Sequence, residues 1–266
     1  MSKVSIIMGV YNCKDKNLLK KSVDSIINQT YTDWEFIICN DGSTDDTLNY
    51  LFEIEKLDSR IKVVSYKENK GLSYALNYSL KMASGEYIAR QDDDDYSYPN
   101  RLERQISYLI QHPDIDIVGC LADVYDDTGV WGKYSVAEKP VNKDFLWNSP
   151  FNHPTTVFRA SSLLKVGGYR TAKETRRCED YDLFMRMYAA GFKGYNLQEI
   201  LYKYWIKNDP TKKYRPMKYR IDEAIVRFKG YRALHIMTPG CLFVLKPIVI
   251  GLIPQRLFQV IRGKQY

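Results

Sequence analysis

Short β-rich runs separated by helical patterns fill the first hundred residues, and that alternation restricts the chain to a small set of folds. VSIIM (residues 4–8) reads as a strand, and residues 17–29 set Leu19, Val23, Ile26 and Ile27 on one face of a helix. WEFIICN (34–40) reads as a second buried strand. Ser43 and Asp46 have capping-box spacing and open a second helix with Leu48, Leu51, Phe52 and Ile54 as its apolar positions. IKVVSY (61–66), GLSYALNYSLKMA (71–83) and EYIAR (86–90) follow as strand, helix and strand, and Pro99 suits the first turn of a helix RLERQISYLIQ. The pattern predicts an α/β fold, a mostly parallel sheet with helices on both faces. Ligands of such sheets bind beyond the carboxyl ends of the strands. Three polar clusters fall at those ends: residues 9–12, residues 40–43, and the run Asp92, Asp93, Asp94, Asp95.

The aspartate run stands in a chain of formal net charge +7. Adjacent carboxylates repel one another, so such a run is either spread into solvent or holds something cationic. Convergence with two other polar clusters on one sheet edge favours the second. Oxygen-only donors suit a hard divalent cation, Mg²⁺ or Mn²⁺, whose shell is completed by water and substrate phosphate, which points to a phosphorylated ligand. An EF-hand is excluded because Ser97 stands where its loop needs glycine. A P-loop is excluded at GKYS because Asp127 replaces the first glycine and Tyr134 the Ser or Thr. Five scattered cysteines without a CxxC pair fit a reducing compartment and no zinc ribbon. The N-terminus lacks the apolar run and cleavage site of a signal peptide, so a cytosolic location is expected.

The ordered set VSIIMGVYN, QTYTDWEFIICNDGSTDDT, ENKGLSYALN, GEYIARQDDDDYSYPNRLE, HPTTVFR, GGYR and CEDYDLFMR resembles the family 2 inverting glycosyltransferases of GT-A fold over about residues 3–205. The resemblance implies a nucleotide-binding half (1–100) and an acceptor-binding half (101–205), and it leaves residues 206–266 as an extension that the tail's own composition makes helical and basic-amphipathic. It implies Tyr11 and Asp41 on the uracil of a UDP-sugar, with Gly9 and Val10 as backbone neighbours of the base and Asn69 beside the nucleotide. It further implies Asp92, with Asp93 beside it, at the ribose and sugar, Asp94 as ligand of Mn²⁺ or Mg²⁺, and Asp180 as catalytic base, with Glu179 at the sugar hydroxyls. Residues 179 and 180 also stand where acids favour a helix dipole, and Asp182 is placed to share the proton. His153 is expected either as a structural histidine or beside acceptor or metal, and Gly167 and Gly168 as a turn. The chain departs from the family pattern at Gly9, at Asp93 and at Leu76, where an arginine commonly pairs with the diphosphate. Lys70 and Arg90 are the candidate substitutes.

Residues 201–266 carry 14 Lys and Arg against 3 Asp and Glu, leaving an acidic body and a basic tail. The tail's apolar run is interrupted by Lys246, Pro247 and Pro254, too broken to cross a bilayer. Amphipathic helices on the inner membrane surface are expected, the alternative being packing on the body or another subunit in a homo-oligomer. A nucleic-acid partner is not expected, because so apolar a tail is unusual for one. A peripheral location suits a saccharide or lipid-linked acceptor in surface-polysaccharide assembly. A nucleotide-sugar-binding protein without turnover is the alternative. A sugar nucleotidylyltransferase is disfavoured because SIIMGVYN lacks a glycine-rich loop.

Overall fold

The computed structural model describes residues 4–207 and 215–252. Strand β1 (Val4–Val10), helix α1 (Lys16–Ile27), β2 (Trp34–Asn40), α2 (Thr47–Glu55), β3 (Ile61–Ser65), α3 (Leu72–Met82) and β4 (Tyr87–Arg90) succeed one another as the periodicity predicts. Then come β5 (Tyr96–Ser97), α4 (Arg101–Gln111), β6 (Ile117–Asp126), β7 (Gly129–Tyr134), β8 (Val157–Arg159), α5 (Ala160–Lys165), α6 (Glu179–Ala189), β9 (Gly194–Trp205), α7 (Met217–Ala233) and α8 (Met237–Leu252), with three short 3₁₀ turns between. The sheet order is β3-β2-β1-β4-β8-β6-β9-β5, with β7 added to β6. β3, β2, β1 and β4 are parallel, whereas β8 runs antiparallel to both β4 and β6.

Strand order reverses at β1, whose neighbours are β2 on one side and β4 on the other. Crossovers on opposite faces leave a crevice beyond the ends of these strands, and that is where the acidic run lies. Both faces of β1, β2 and β4 are covered, so these strands are largely apolar and buried. Val4, Ile6, Met8 and Val10 pack with Leu19, Val23 and Ile26 of α1 and Leu102, Ile106 and Leu109 of α4. Ile7 and Ile88 point the other way, into a core shared with Leu76 and Leu80 of α3 and Leu183, Phe184 and Met187 of α6.

Three local expectations are corrected. The capping box at Ser43 and Asp46 does not form: α2 begins at Thr47, whose N–H bonds the Asp45 carboxylate at 3.0 Å, while the Ser43 hydroxyl accepts the Asn12 N–H at 3.0 Å. Pro99 lies before the N-cap Asn100 rather than in the first turn of α4. β1 continues through Gly9 and Val10, so these two residues belong to the ladder itself.

α7 packs on α6. Val226, Tyr231 and Leu234 are buried in the same core as Phe145 and Tyr181, and the Tyr231 hydroxyl bonds the Phe145 and Leu146 carbonyls at 3.2 and 3.1 Å. Residues 208–214 and 253–266 of the expected extension lie outside the described residues. Tyr231→Ala should cost about 3–5 kcal/mol through the cavity and lost contacts, which for a chain of this size lowers the thermal midpoint by roughly 6–15 °C. Differential scanning fluorimetry checks this; an unchanged midpoint would show that α7 contributes nothing to the stability of the body.

Candidate active site

The ends of β1 and β2, the loop into α3 and the loop before α6 enclose a cavity of about 740 Å³ lined by Gly9, Val10, Tyr11, Asp41, Asn69, Lys70, Arg177 and Glu179, among others. Beside it is a cavity of about 330 Å³ whose lining includes Arg90, Asp92, His153, Glu179, Asp180, Arg215 and Glu223. Leu72, Arg177 and Glu179 line both and mark the seam between them. A third, of about 440 Å³, is bordered by Tyr11, Asp93, Asp94, Asp127 and Lys207. The expected residues therefore converge on one side of the sheet but divide: Asp92 faces Asp180, whereas Asp93 and Asp94 face Tyr11.

Asp41 is a structural hub of the nucleotide side. Its carboxylate, buried at the end of β2, accepts from the Tyr66 hydroxyl at 2.6 Å, the Asn69 side-chain amide at 2.9 Å, and the Lys70 and Gly71 N–H groups at 2.8 and 2.9 Å. It fixes the loop that opens α3, and any hydrogen bond from a bound base must compete with these donors. Gly42 follows with φ 62°, and a Cβ there would meet the Glu68 carbonyl carbon at 2.4 Å, so the turn admits no side chain. Tyr11 is 46% exposed at the cleft mouth, an open aromatic face rather than a core ring.

Beneath the acidic run are two fully buried guanidinium groups. Arg90 donates to the Asp92 carboxylate and to the Ile7 and Gln91 carbonyls. Arg101 donates to the Gln91 side chain at 3.0 Å, to Ser97 Oγ at 2.7 Å and to the Arg90 carbonyl at 2.7 Å. Arg90 is thus committed to the interior, and Leu76 is a core residue of α3. Lys70 lines the large cavity with its ammonium over the Tyr74 ring at 4.7 Å.

Burial, and then the charge of Asp92, pushes the Asp93 carboxyl up to about 6; burial, then Asp92 and Asp93, pushes Asp94 up to about 7. Asp95 is raised well above its ordinary range by burial, and its Oδ1 accepts the Trp205 N–H at 2.7 Å. Asp180 and Glu179 occupy the first turn of α6. Burial raises both, Glu179 to about 7, while N–H groups of the helix start and Arg215 act in the opposite direction on Asp180. Asp182 does not share this role: its buried carboxylate is held between Arg170 and Arg186, the latter at 2.7 Å. His153 is buried and its Nε2 lies 2.8 Å from the Tyr169 hydroxyl; burial holds its proton affinity well below that of a free imidazole, so the ring is neutral. Gly167 and Gly168 form the expected turn, with φ 79° and 65°.

Sequence reasoning missed four contributors. Asn77 of α3 donates to the Tyr169 carbonyl at 2.6 Å and accepts the Tyr169 N–H at 2.9 Å, tying α3 to the glycine turn. Arg177 was visible as part of RRCED, but its place at the seam depends on backbone conformation. Arg215 and Glu223 arrive from beyond residue 207, and no local signal announces them.

The profile of the family described as "Glycosyl transferase family 2" matches residues 5–168. The chain belongs to this family. EpsE of Bacillus subtilis (strain 168), named as a glycosyltransferase, is 41% identical over 95% of the chain and 90% of its own length. The Escherichia coli enzyme named UDP-Gal:alpha-D-GlcNAc-diphosphoundecaprenol beta-1,3-galactosyltransferase is 27% identical over 95% of the chain and 92% of its own. In fold, this family 2 glycosyltransferase is similar to S. aureus TarS in complex with UDP-GlcNAc, with TM-score 0.68, 20% identity, and coverage of 85% of this chain and 66% of that one. The mixed, mostly parallel sheet with helices on both faces is accordingly the GT-A fold, with C-terminal helices added.

The raised acids make a stability prediction. Between about 4 and 7 the folded protein holds protons on Asp93 and Asp94 that the unfolded chain has released, so stability is lost as pH rises through that window. Asp94→Asn should therefore raise the thermal midpoint at pH 8 in chelator by roughly 2–6 °C, with the difference vanishing near pH 4. Equal midpoints at pH 8 would show that the run is solvated and unstrained.

Proposed function

We propose that this glycosyltransferase moves a sugar from a UDP-sugar to a hydroxyl of a saccharide or lipid-linked saccharide, with inversion, in cell-surface polysaccharide assembly. The observation that carries the reading is the adjacency of the two cavities: a cleft with an open aromatic face at one end meets, at a shared seam, a pocket holding a buried carboxylate at a helix start. The activity for which the E. coli relative is named supports a UDP-sugar donor and a lipid diphosphate acceptor, and the UDP-GlcNAc complex of TarS supports the same donor class.

In this mechanism Tyr11 stacks on the base, and Gly9, Val10 and Asn69 border the nucleotide around the loop that Asp41 fixes. Asp92 and Glu179 face the sugar, and His153 lines the acceptor side as a neutral ring. Asp180 accepts the acceptor's proton as that oxygen bonds to the anomeric carbon, and the bond to the diphosphate breaks with its electron pair going to the phosphate oxygen. A single displacement inverts the anomeric centre. Among the described residues no three His, Cys, Asp or Glu side chains converge to hold an ion by themselves. The donor set nevertheless fits Mn²⁺ or Mg²⁺ held by Asp94 with substrate phosphate completing the shell, because Asp93 and Asp94 are carboxylates raised by burial and mutual repulsion. Such an ion, when bound, neutralises charge developing on the leaving diphosphate.

Residues 1–205 supply the donor and acceptor halves in this reading, and the extension from 206 meets a membrane surface. Among the described residues no helix is long and apolar enough to cross a membrane. Leu242, Leu245, Val249 and Leu252 are exposed along one face of α8, and Ile221, Ile225 and Phe228 along one face of α7, a pattern suited to lying in a headgroup region.

Screening UDP-glucose, UDP-galactose and their N-acetyl forms for UDP release tests the donor. Asp180→Asn should retain UDP binding and lose transfer by about 10²–10⁴-fold. Because the base works deprotonated and burial raises Asp180 above the ordinary carboxylate range, the parental rate should climb as pH rises beyond that range. Transfer undiminished in Asp180→Asn would refute the assignment. Separately, Leu242→Glu combined with Leu245→Glu should weaken binding to vesicles containing anionic lipid while leaving UDP affinity intact; unchanged vesicle binding would remove the membrane from the scheme.

A further inference from the structure

Leu76 is packed in the core and presents no charge to a diphosphate. Of the two candidate substitutes, Arg90 is fully buried and paired with Asp92, and Lys70 lines only the larger cavity, with its ammonium resting over Tyr74. A diphosphate lies chemically between the nucleoside and the anomeric carbon, so its countercharge belongs where the nucleotide cavity meets the cavity of Asp180. Of the three residues lining both, Leu72 is apolar and Glu179 acidic. The third is Arg177.

Three further observations bear on Arg177. Its φ is 67°, a left-handed conformation that costs energy in a residue with a side chain and that persists only where surrounding structure enforces it. The enforcement is visible: the Arg215 Nη2 donates to the Arg177 carbonyl at 2.8 Å, while the Arg215 Nη1 pairs with Glu223 of α7 at 2.8 Å. The guanidinium itself is exposed to the cleft and has no carboxylate partner among the described residues; its one ring neighbour is Tyr219, at 5.9 Å. A turn held in a strained conformation so that a free cation faces a seam is difficult to account for by packing.

On the reading of the chain as a UDP-sugar transferase, we infer that Arg177 is the residue that binds the donor diphosphate and stabilises it as it leaves. Arg215 and Glu223 act through it as positioning residues. Arg176 and Lys173 line only the nucleotide cavity and add general positive field.

The test compares UDP with uridine, which differ by the diphosphate alone, by calorimetry on the full chain with Mn²⁺ present. Arg177→Ala should weaken UDP binding about tenfold or more, as loss of a charge-assisted hydrogen bond does, with uridine affinity unchanged; Arg177→Lys should restore part of the loss, and Arg176→Ala should have a much smaller effect. UDP affinity equal to the parent's in Arg177→Ala, or uridine affinity falling in step with it, overturns the inference while leaving the donor reading intact. A parent chain that binds neither UDP nor uridine overturns both.

Discussion

Two arginines withdrawn from solvent hold the acidic run in place, and most of the site's geometry follows from them. Arg90 ends β4 and turns its guanidinium under the loop that follows it, where it meets Asp92 and the Ile7 carbonyl of β1. Arg101 reaches the same loop from the first turn of α4, binding Gln91, Ser97 and the Arg90 carbonyl. A buried cation is costly unless hydrogen-bonded and countered, so the loop that supplies acceptors and an anion cannot easily detach. Ser22 of α1 adds a bond to the Asp92 carbonyl at 2.7 Å, and the Tyr202 hydroxyl accepts the Asp92 N–H at 3.3 Å. The two cations leave Asp93 and Asp94 facing the cleft with raised proton affinity. Self-repulsion in the run is therefore only partly compensated from below, and the remainder is available to a cation from above.

The same division of labour recurs at Asp41 and Asp182. Each is a carboxylate close to the cleft, and each is saturated by internal donors, the first by the loop entering α3 and the second by Arg170 and Arg186. Asp180, one helical position from Glu179, has no such partner holding it in an ion pair among the described residues; Arg215 and Glu223 oppose each other in their effect on it. Among neighbouring acids, a proton acceptor is distinguished by what does not bind it. Sequence proximity to a helix start left Asp182 placed to share the proton with Asp180, and the tertiary partners Arg170 and Arg186 remove it from that part.

The parallel half of the sheet was legible because its strands are buried on both faces and its helices are amphipathic, two periodicities that survive without knowledge of the partners. β2 matches the expected residues, and β1 exceeds its expected end only because the ladder with β2 carries it through Gly9 and Val10. The capping box failed because Ser43 had a better partner, the Asn12 N–H, thirty-one positions earlier in the chain. Candidate residues inside motifs lie together on the sheet edge set by strand reversal at β1. Those contributed by long-range packing were not legible, because nothing near Arg215 or Glu223 in the chain distinguishes them from other charges in a basic tail. Whether an arginine such as Arg90 points into the cleft or beneath it is likewise decided by burial, which a motif does not record.

α7 shows why the tail was read as apart from the body. Its spacing serves two surfaces at once: Glu223 and Arg227, one turn apart, turn inward as an ion pair beside the smaller cavity, while Ile221, Ile225 and Phe228 lie exposed. The inner face of α7 thus mixes Ala224, Val226 and Tyr231 with Arg227, while Ile221, Ile225 and Phe228 give its outer face an apolar stripe that suits the membrane contact proposed above. An α-helix with its side chains is about 10–12 Å across, so an acceptor anchored at the outer face needs to reach only a short distance round α7 to present its hydroxyl to Asp180. Arg215, which joins Glu223 of this helix to the Arg177 turn, makes the same element a support for the donor side. In the proposed scheme, membrane contact, acceptor entry and the donor seam share one helix, and a displacement of α7 would be felt at all three.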